Sequence, residues 1–351
     1  MKTNIPERIA ALREAMRQQK VDAYIIPSSD PHLSEYPADR WKSREWISGF
    51  TGSAGTIVVT ADKAGLWTDS RYFLQAASQL EGSGIELYKL ALPETPSITE
   101  FLLHELHAGQ AVGLDGQTYS AAEASALANK LSRKEIKLDT SADLIEGIWK
   151  ARPAVPGNPI FEMPEALSGA SVHEKLDLIN NQLRSEGADC LILAALDEIA
   201  WTFNIRGTDV TYNPVVVSYA FVSEDESVLF IKPEKLTAEI TEHLKKEGVT
   251  LAEYSMIQRY LSRLPENSRV FVDMNKTNVS LYDAIPGSCT IVEGISPANH
   301  LKSIKNETEI KGFQNAVVKD GVALTKFYIW LEKKMAEGAQ VTAVSYTHLT
   351  L

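Results

Sequence analysis

The densest run of chemically able side chains is Asp197-Glu198-Ile199-Ala200-Trp201-Thr202-Phe203-Asn204-Ile205-Arg206-Gly207-Thr208-Asp209, directly after the apolar run Cys190-Leu191-Ile192-Leu193-Ala194-Ala195. Charges this close together at the end of a buried strand lose hydration unless they are paired or belong to a site. Two uses are open for them: a capped helix with a structural ion pair, or a surface that receives a partner. A second cluster, Trp67-Thr68-Asp69-Ser70-Arg71-Tyr72-Phe73, sets a guanidinium between aromatic rings just past another strand-like run. Arg71 can clasp a carboxylate or peptide carbonyl by paired hydrogen bonds, or close an ion pair on Asp69.

Metal and nucleotide chemistry find less support. His104-Glu105-Leu106-His107 places imidazoles at i and i+3, which can share a face of a helix. There is no His-Glu-x-x-His and no third ligand nearby, so the pair reads as helix surface. His32, His173, His243 and His300 are scattered and read as surface or capping residues. Gly49, Gly52 and Gly55 have the spacing of a phosphate loop, but Gly55 opens the strand-like Thr56-Ile57-Val58-Val59. A dinucleotide loop must instead open a helix, whose N-terminus meets the phosphates. Gly52-Ser53-Ala54-Gly55 likewise lacks the spacing of a nucleophile elbow. The glycines read as permitting tight turns and close backbone approach. No residue is assigned a catalytic or metal-ligating role.

These clusters need elements to carry them. The 351 residues imply two to three domains, and 44% hydrophobic with 23% charged residues suits globular cores. A net charge of −11 argues against a nucleic-acid partner. No apolar run reaches the ~18 residues of a membrane span. Met1 to Met16 carries charges throughout and is not a secretory signal. Cys190 and Cys289, far apart and in apolar surroundings, read as reduced thiols of a cytoplasmic protein.

Ala151-Arg152-Pro153-Ala154-Val155-Pro156-Gly157-Asn158-Pro159 cannot continue a helix or central strand and marks a linker. A second break is expected at Ile295-Ser296-Pro297-Ala298-Asn299-His300. The segments on either side of the linker open alike. Ile5, Ile9, Leu12 and Met16 predict a helix behind Asn4 and Pro6, and Val21 to Ile26 a strand; Leu176, Ile179 and Leu183 predict a helix, and Ala188 to Leu193 a strand. Trp46-Ile47-Ser48-Gly49-Phe50-Thr51-Gly52-Ser53 then aligns with Trp201-Thr202-Phe203-Asn204-Ile205-Arg206-Gly207-Thr208. Strand pairs follow in both, at 55–60 and 65–67, and at 215–222 and 228–231. The pattern predicts two related α/β domains, each a mixed sheet with helices packed on it. Beyond them, Asn306-Glu307-Thr308-Glu309 is a capping box, and Ile310, Phe313, Val317, Leu324, Phe327 and Leu331 form an apolar stripe. Lys333 and Lys334 suit the end of that helix, and Gly338 its stop. Burial of the stripe is worth on the order of 10 kcal/mol, so a partner surface is expected.

Ile47 to Thr56 followed by Leu66 to Ala76 resembles the amino-terminal half of the Xaa-Pro aminopeptidases (aminopeptidase P), of the larger three-domain cytosolic type. The likeness runs from residue 1 to about 340 and includes Tyr24-Ile25-Ile26-Pro27-Ser28, Ser34-Glu35-Tyr36, Ile148-Trp149-x-x-Arg152-Pro153 and Asn213-Pro214. It implies creatinase N-terminal-like domains at 1–152 and 160–296. At 304–351 it implies the truncated start of a pita-bread metallopeptidase domain, with an atypical tail from about Ala343. The end, Val344-Ser345-Tyr346-Thr347-His348-Leu349-Thr350-Leu351, reads as foreign sequence at a fragment edge. The family removes an N-terminal residue that precedes proline, using water activated by divalent cations, usually Mn2+. The resemblance puts those ligands outside this chain, which is therefore expected to be inactive alone. It implies proline-containing peptide substrates, a cytoplasmic homodimer, and peptide binding by Arg71, reaching the cleft of a partner subunit. The family commonly has Gly where this chain has Ser70; a positive φ there would strain Ser by roughly 1 kcal/mol. Asp197, Glu198, Trp201, Asn204 and Arg206 are implied to seat the catalytic domain. The competing class is a non-catalytic interaction module of the same fold, whose acidity suits basic partners.

Overall fold

Asn4 accepts a hydrogen bond from the Glu7 amide and Pro6 sits in the first turn, so α1 (Ile5–Gln19) begins where its sequence predicts. Ile5, Ile9, Leu12 and Met16 face inward, and Lys20, in left-handed conformation, turns the chain into β1 (Ala23–Ile26). This computed structural model describes residues 4–342. The first lobe continues through α2 (Ser43–Ser48), β2 (Thr56–Thr60), β3 (Ala64–Thr68), α3 (Phe73–Gln79) and β4 (Glu86–Lys89). It is completed by α4 (Ile98–Glu105), β5 (Ala111–Leu114), α5 (Ala121–Ser132), β6 (Lys137–Asp139) and α6 (Leu144–Ile148). Its sheet has the order β4-β3-β2-β1-β5-β6, antiparallel at β1–β2 and β2–β3 and parallel elsewhere.

The second lobe opens with β7 (Phe161–Glu162), α7 (Glu165–Ser168), α8 (Val172–Ser185), β8 (Cys190–Leu193), α9 (Leu196–Thr202) and β9 (Ile205–Arg206). There follow β10 (Ser218–Ser223), β11 (Ser227–Ile231), α10 (Ala238–Lys246), β12 (Val249–Ala252) and α11 (Ile257–Leu261). Then come β13 (Arg269–Val272), α12 (Val279–Tyr282), β14 (Thr290–Glu293) and α13 (Pro297–Ser303). Its sheet, β12-β11-β10-β8-β13-β14, repeats the first position for position, with the same two antiparallel steps. The aligned octets share one backbone feature. Gly49, which caps α2, and Asn204, one residue past the cap of α9, are equivalent positions and both have positive φ, 73° and 50°. Only glycine, or a short amide that bonds locally, holds that geometry without large strain.

Each sheet is covered on both faces, as alternation along its strands requires. Tyr24 and Ile26 point into one hydrophobic cluster, Ala23 and Ile25 into the opposite one. Leu191 and Leu193, and Cys190 and Ile192, do the same in the second lobe. The lobes meet through Ala38 and Trp41 of the first against Leu196, Ala200, Val210, Val215 and Val217 of the second.

Two local expectations are corrected. The strand predicted from Val215 begins only at Ser218, because the Val217 amide donates to the Asp209 carboxylate and not to a sheet neighbour. The break predicted at 295–300 is the start of α13: Pro297 occupies the first turn, where its missing amide costs nothing. The reading of the tail after Ala343 falls outside the described residues.

The last described element is α14 (Glu307–Ala336), with Asn306 and Glu309 forming the capping box and Gly338 at φ 69° beyond its end. Its root lies against α7, and none of its residues is buried. Phe313 is 58% exposed and Val317 66%. Ile310 and Leu324 of the same stripe are likewise exposed, at 46% and 52%.

Candidate functional site

Arg71 sits where β3 runs out. The Asp69 carboxylate caps the turn 70–72 by accepting the Arg71 amide at 3.1 Å, and it takes Nε and Nη2 at 2.8 Å each. That paired bonding holds the Asp69 carboxyl below the usual range and raises the guanidinium further. The Arg71 side chain is nevertheless 65% exposed, and exposed ion pairs stabilise little. A carboxylate or carbonyl arriving from solvent can therefore compete with Asp69. The guanidinium also lies 5.1 Å from the centre of the Tyr72 ring. Ser70 is not among the positive-φ residues, so the strain considered for it is absent.

The loop beside Arg71 is built around a residue the sequence reading passed over. Arg44 is buried and donates to Ser28 Oγ at 2.8 Å, to the Phe50 carbonyl at 2.6 Å and to the Gly52 carbonyl. Burial pulls its pKa down to about 10. A Cβ on Gly52 would lie 2.3 Å from the Phe50 ring and 2.7 Å from that of Tyr72, so glycine is required there. Ser53 and the Tyr72 hydroxyl share a 2.6 Å hydrogen bond, tying this loop to the Arg71 turn.

The segment 197–209 does not form one surface. Asp197 pairs with Lys302 at 2.6 Å, and buried Glu198 accepts from Asn299 at 3.2 Å; both thus hold α13. Burial raises the Glu198 pKa. Asn204, also buried, accepts from Lys175 and donates to the Ala170 carbonyl at 2.9 Å. Lys175 further donates to the Trp201 carbonyl at 2.9 Å and sits 4.8 Å from the centre of its ring. Burial depresses this lysine to about 8. Arg206 donates to the carbonyls of Ala200 and Ile205, and Glu309 of α14 attracts both Arg206 and Lys175. Asn306 adds a 2.8 Å bond to the Ser168 carbonyl, against Gly169, whose absent Cβ would come within 2.5 Å of Asn306 Oδ1. Trp201, Asn204 and Arg206 thus underlie the root of α14. Asp209 turns inward to the fully buried Lys235.

Two clefts open where the lobes meet, of about 590 and 700 Å³. Glu35 and Tyr36 of the first lobe and Thr211 and Tyr212 of the second line both. Beneath them His32 is buried, with Nδ1 2.9 Å from the Ala194 carbonyl and Nε2 2.9 Å from the Tyr254 hydroxyl.

Among the described residues, no group of three or more His, Cys, Asp and Glu side chains could hold a metal ion. His104 is exposed and bonds Glu105, while His107 lies beyond the end of α4. These residues do not fit a two-cation centre. Cys190 and Cys289 are free thiols, and burial pushes Cys190 up to about 12. No helix among the described residues is long and apolar enough to cross a membrane.

The profile of the creatinase/prolidase N-terminal domain matches residues 8–148, and a second profile of the same description matches 151–309. Probable Xaa-Pro aminopeptidase P of Coprinopsis cinerea is 38% identical over 96% of this chain and 56% of its own length. That of Botryotinia fuckeliana is 38% identical over 95% and 52%. The chain thus spans about half the length of the curated relatives it matches. A crystal structure of X-prolyl aminopeptidase from Caenorhabditis elegans, described as a cytosolic enzyme with a di-nuclear active site, superimposes with a TM-score of 0.90. It is 29% identical, and the match covers 97% of this chain and 58% of that one. The chain belongs to the creatinase/prolidase N-terminal domain family, with two such domains in tandem over most of its length, and over nearly all of that length it is similar to Xaa-Pro aminopeptidases P.

Proposed function

We propose that this chain carries the accessory half of an Xaa-Pro aminopeptidase: domains at 1–152 and 160–296, with a pita-bread metallopeptidase domain beginning at about 304. The observation that carries this reading is α14, rooted on the second lobe with Ile310, Phe313, Val317 and Leu324 of its apolar stripe exposed. A helix of this composition owes its stability to the surface its stripe covers. The complete protein, in this reading, is a cytoplasmic homodimer that releases an N-terminal residue preceding proline. Divalent cations, Mn2+ by family resemblance, would supply activated water there. The described residues do not fit such a centre, so this chain alone is expected to leave Xaa-Pro bonds intact.

Arg71 is the substrate-binding residue of the proposal. Its exposed guanidinium exchanges the Asp69 carboxylate for a peptide carboxylate, keeping two parallel hydrogen bonds, or for a peptide carbonyl, whose single oxygen accepts from it. The test compares this chain with a longer one carrying the downstream half, on Xaa-Pro peptides with added Mn2+. Cleavage only by the longer chain supports the reading. Cleavage by this chain sinks it, and failure of both favours the interaction module. In the longer chain Arg71→Ala should raise KM for longer peptides; unchanged kinetics would remove Arg71 from substrate binding.

A further inference from the structure

Tyr212 is held at φ 63°, and its side chain is fully exposed. A bulky L-residue in left-handed backbone costs free energy, which most proteins avoid by placing glycine or asparagine there. Here the strained position has no hydrogen bond or ring contact among the described residues to offset it. Tyr36, 54% exposed, rises from the other lobe, and both tyrosines line both clefts. Both thus stand on the rim that the two hollows share, as an aromatic ridge. The cleft is tied to the Arg71 turn by Ser53, which lies on the wall of the 590 Å³ hollow and bonds Tyr72.

We propose that this cleft, from the Arg71 turn to the Tyr36–Tyr212 ridge, binds the downstream, proline-containing stretch of a peptide. The inference rests on the reading of Arg71 as a peptide clasp and extends it to a distal subsite. Paired exposed aromatics beside a groove suit a polyproline II segment. Such a segment has no internal hydrogen bonds, so its carbonyls are free for phenol donors while its pyrrolidine rings lie on aromatic faces. The exposed Tyr212 ring at the cleft wall is open to such a ligand.

The test uses the purified chain and a fluorescein-labelled decapeptide with proline at alternate positions, against the same peptide with alanine for proline. Saturable binding is expected, about tenfold weaker for the alanine peptide. Tyr36→Ala should weaken binding by a similar factor, and Tyr212→Phe should retain the ring contact. Tyr212→Gly is the discriminating variant: glycine adopts positive φ freely, so the urea midpoint should rise while binding falls. No saturable binding, or equal affinity in wild type, Tyr36→Ala and Tyr212→Gly, overturns the subsite. The two readings fail separately in the longer chain. A KM raised by Arg71→Ala but unmoved by Tyr36→Ala or Tyr212→Gly fells the ridge alone, and a KM indifferent to Arg71→Ala with tyrosine-dependent peptide binding fells the clasp alone.

Discussion

His32→Phe tests how the lobes are locked together. The ring lies 4.4 Å from that of Tyr219, and phenylalanine can keep that packing while losing both polar contacts. The Ala194 carbonyl requires a donor, so Nδ1 carries the proton and neutral Nε2 accepts from the Tyr254 hydroxyl. Removing the imidazole leaves both groups without that partner, at about 1–3 kcal/mol each, so roughly 2–6 kcal/mol is expected at pH 7.5. The pH dependence has a definite sign. Burial lowers the His32 pKa from 6.5; Asp30, Asp209 and the Ala194 carbonyl oppose that shift, and Lys235 adds to it. The unfolded chain therefore takes up a proton at pH values where the native protein does not. Stability from this group is complete above 6.5 and is lost as pH falls from there to the lower native value. Phenylalanine has no such loss, so the gap between wild type and variant should narrow on acidification. Urea unfolding of both proteins from pH 7.5 to 5.0 measures it, and the carboxylates common to both largely cancel. A gap that stays constant or widens toward acid refutes the neutral-imidazole lock.

Lys235→Met should destabilise by about 3–5 kcal/mol, because it leaves Asp209 buried without its cation, while adding Asp209→Asn, which removes the charge and keeps an oxygen for the Val217 amide, should recover part of the loss in the same urea assay. Recovery is the informative half, since it separates the cost of an unpaired buried charge from the loss of lysine packing. Gly169→Ala places a Cβ 2.5 Å from Asn306 Oδ1 at a backbone φ of 72° and should loosen the root of α14. Faster trypsin cleavage after Lys302 and Lys305, with the first lobe still resistant, is the expected outcome; unchanged cleavage would mean the helix is anchored elsewhere.

What the sequence by itself determined is local or periodic. The capping box of Asn306 and Glu309, the helix behind Asn4 and the bonding of Arg71 to Asp69 each join residues at most three apart, so chain connectivity already sets their geometry. The duplication was legible because helix, strand and strand pair recur in the same order on either side of the linker, around one aligned octet, 46–53 and 201–208. Where reading failed, a distant group had intervened, as when Asp209 took the Val217 amide. Pro297 misled for a different reason: the same residue that breaks a helix interior is welcome in a first turn. Only the tertiary structure decided that His32 meets Ala194, that Lys235 meets Asp209, and that Tyr36 and Tyr212 share a cleft. It likewise showed that the charges of 197–209 diverge toward α13, the root of α14 and the buried lysine. Such contacts cross long loops, and their free energy comes from burial and desolvation that exist only once both lobes are folded and docked.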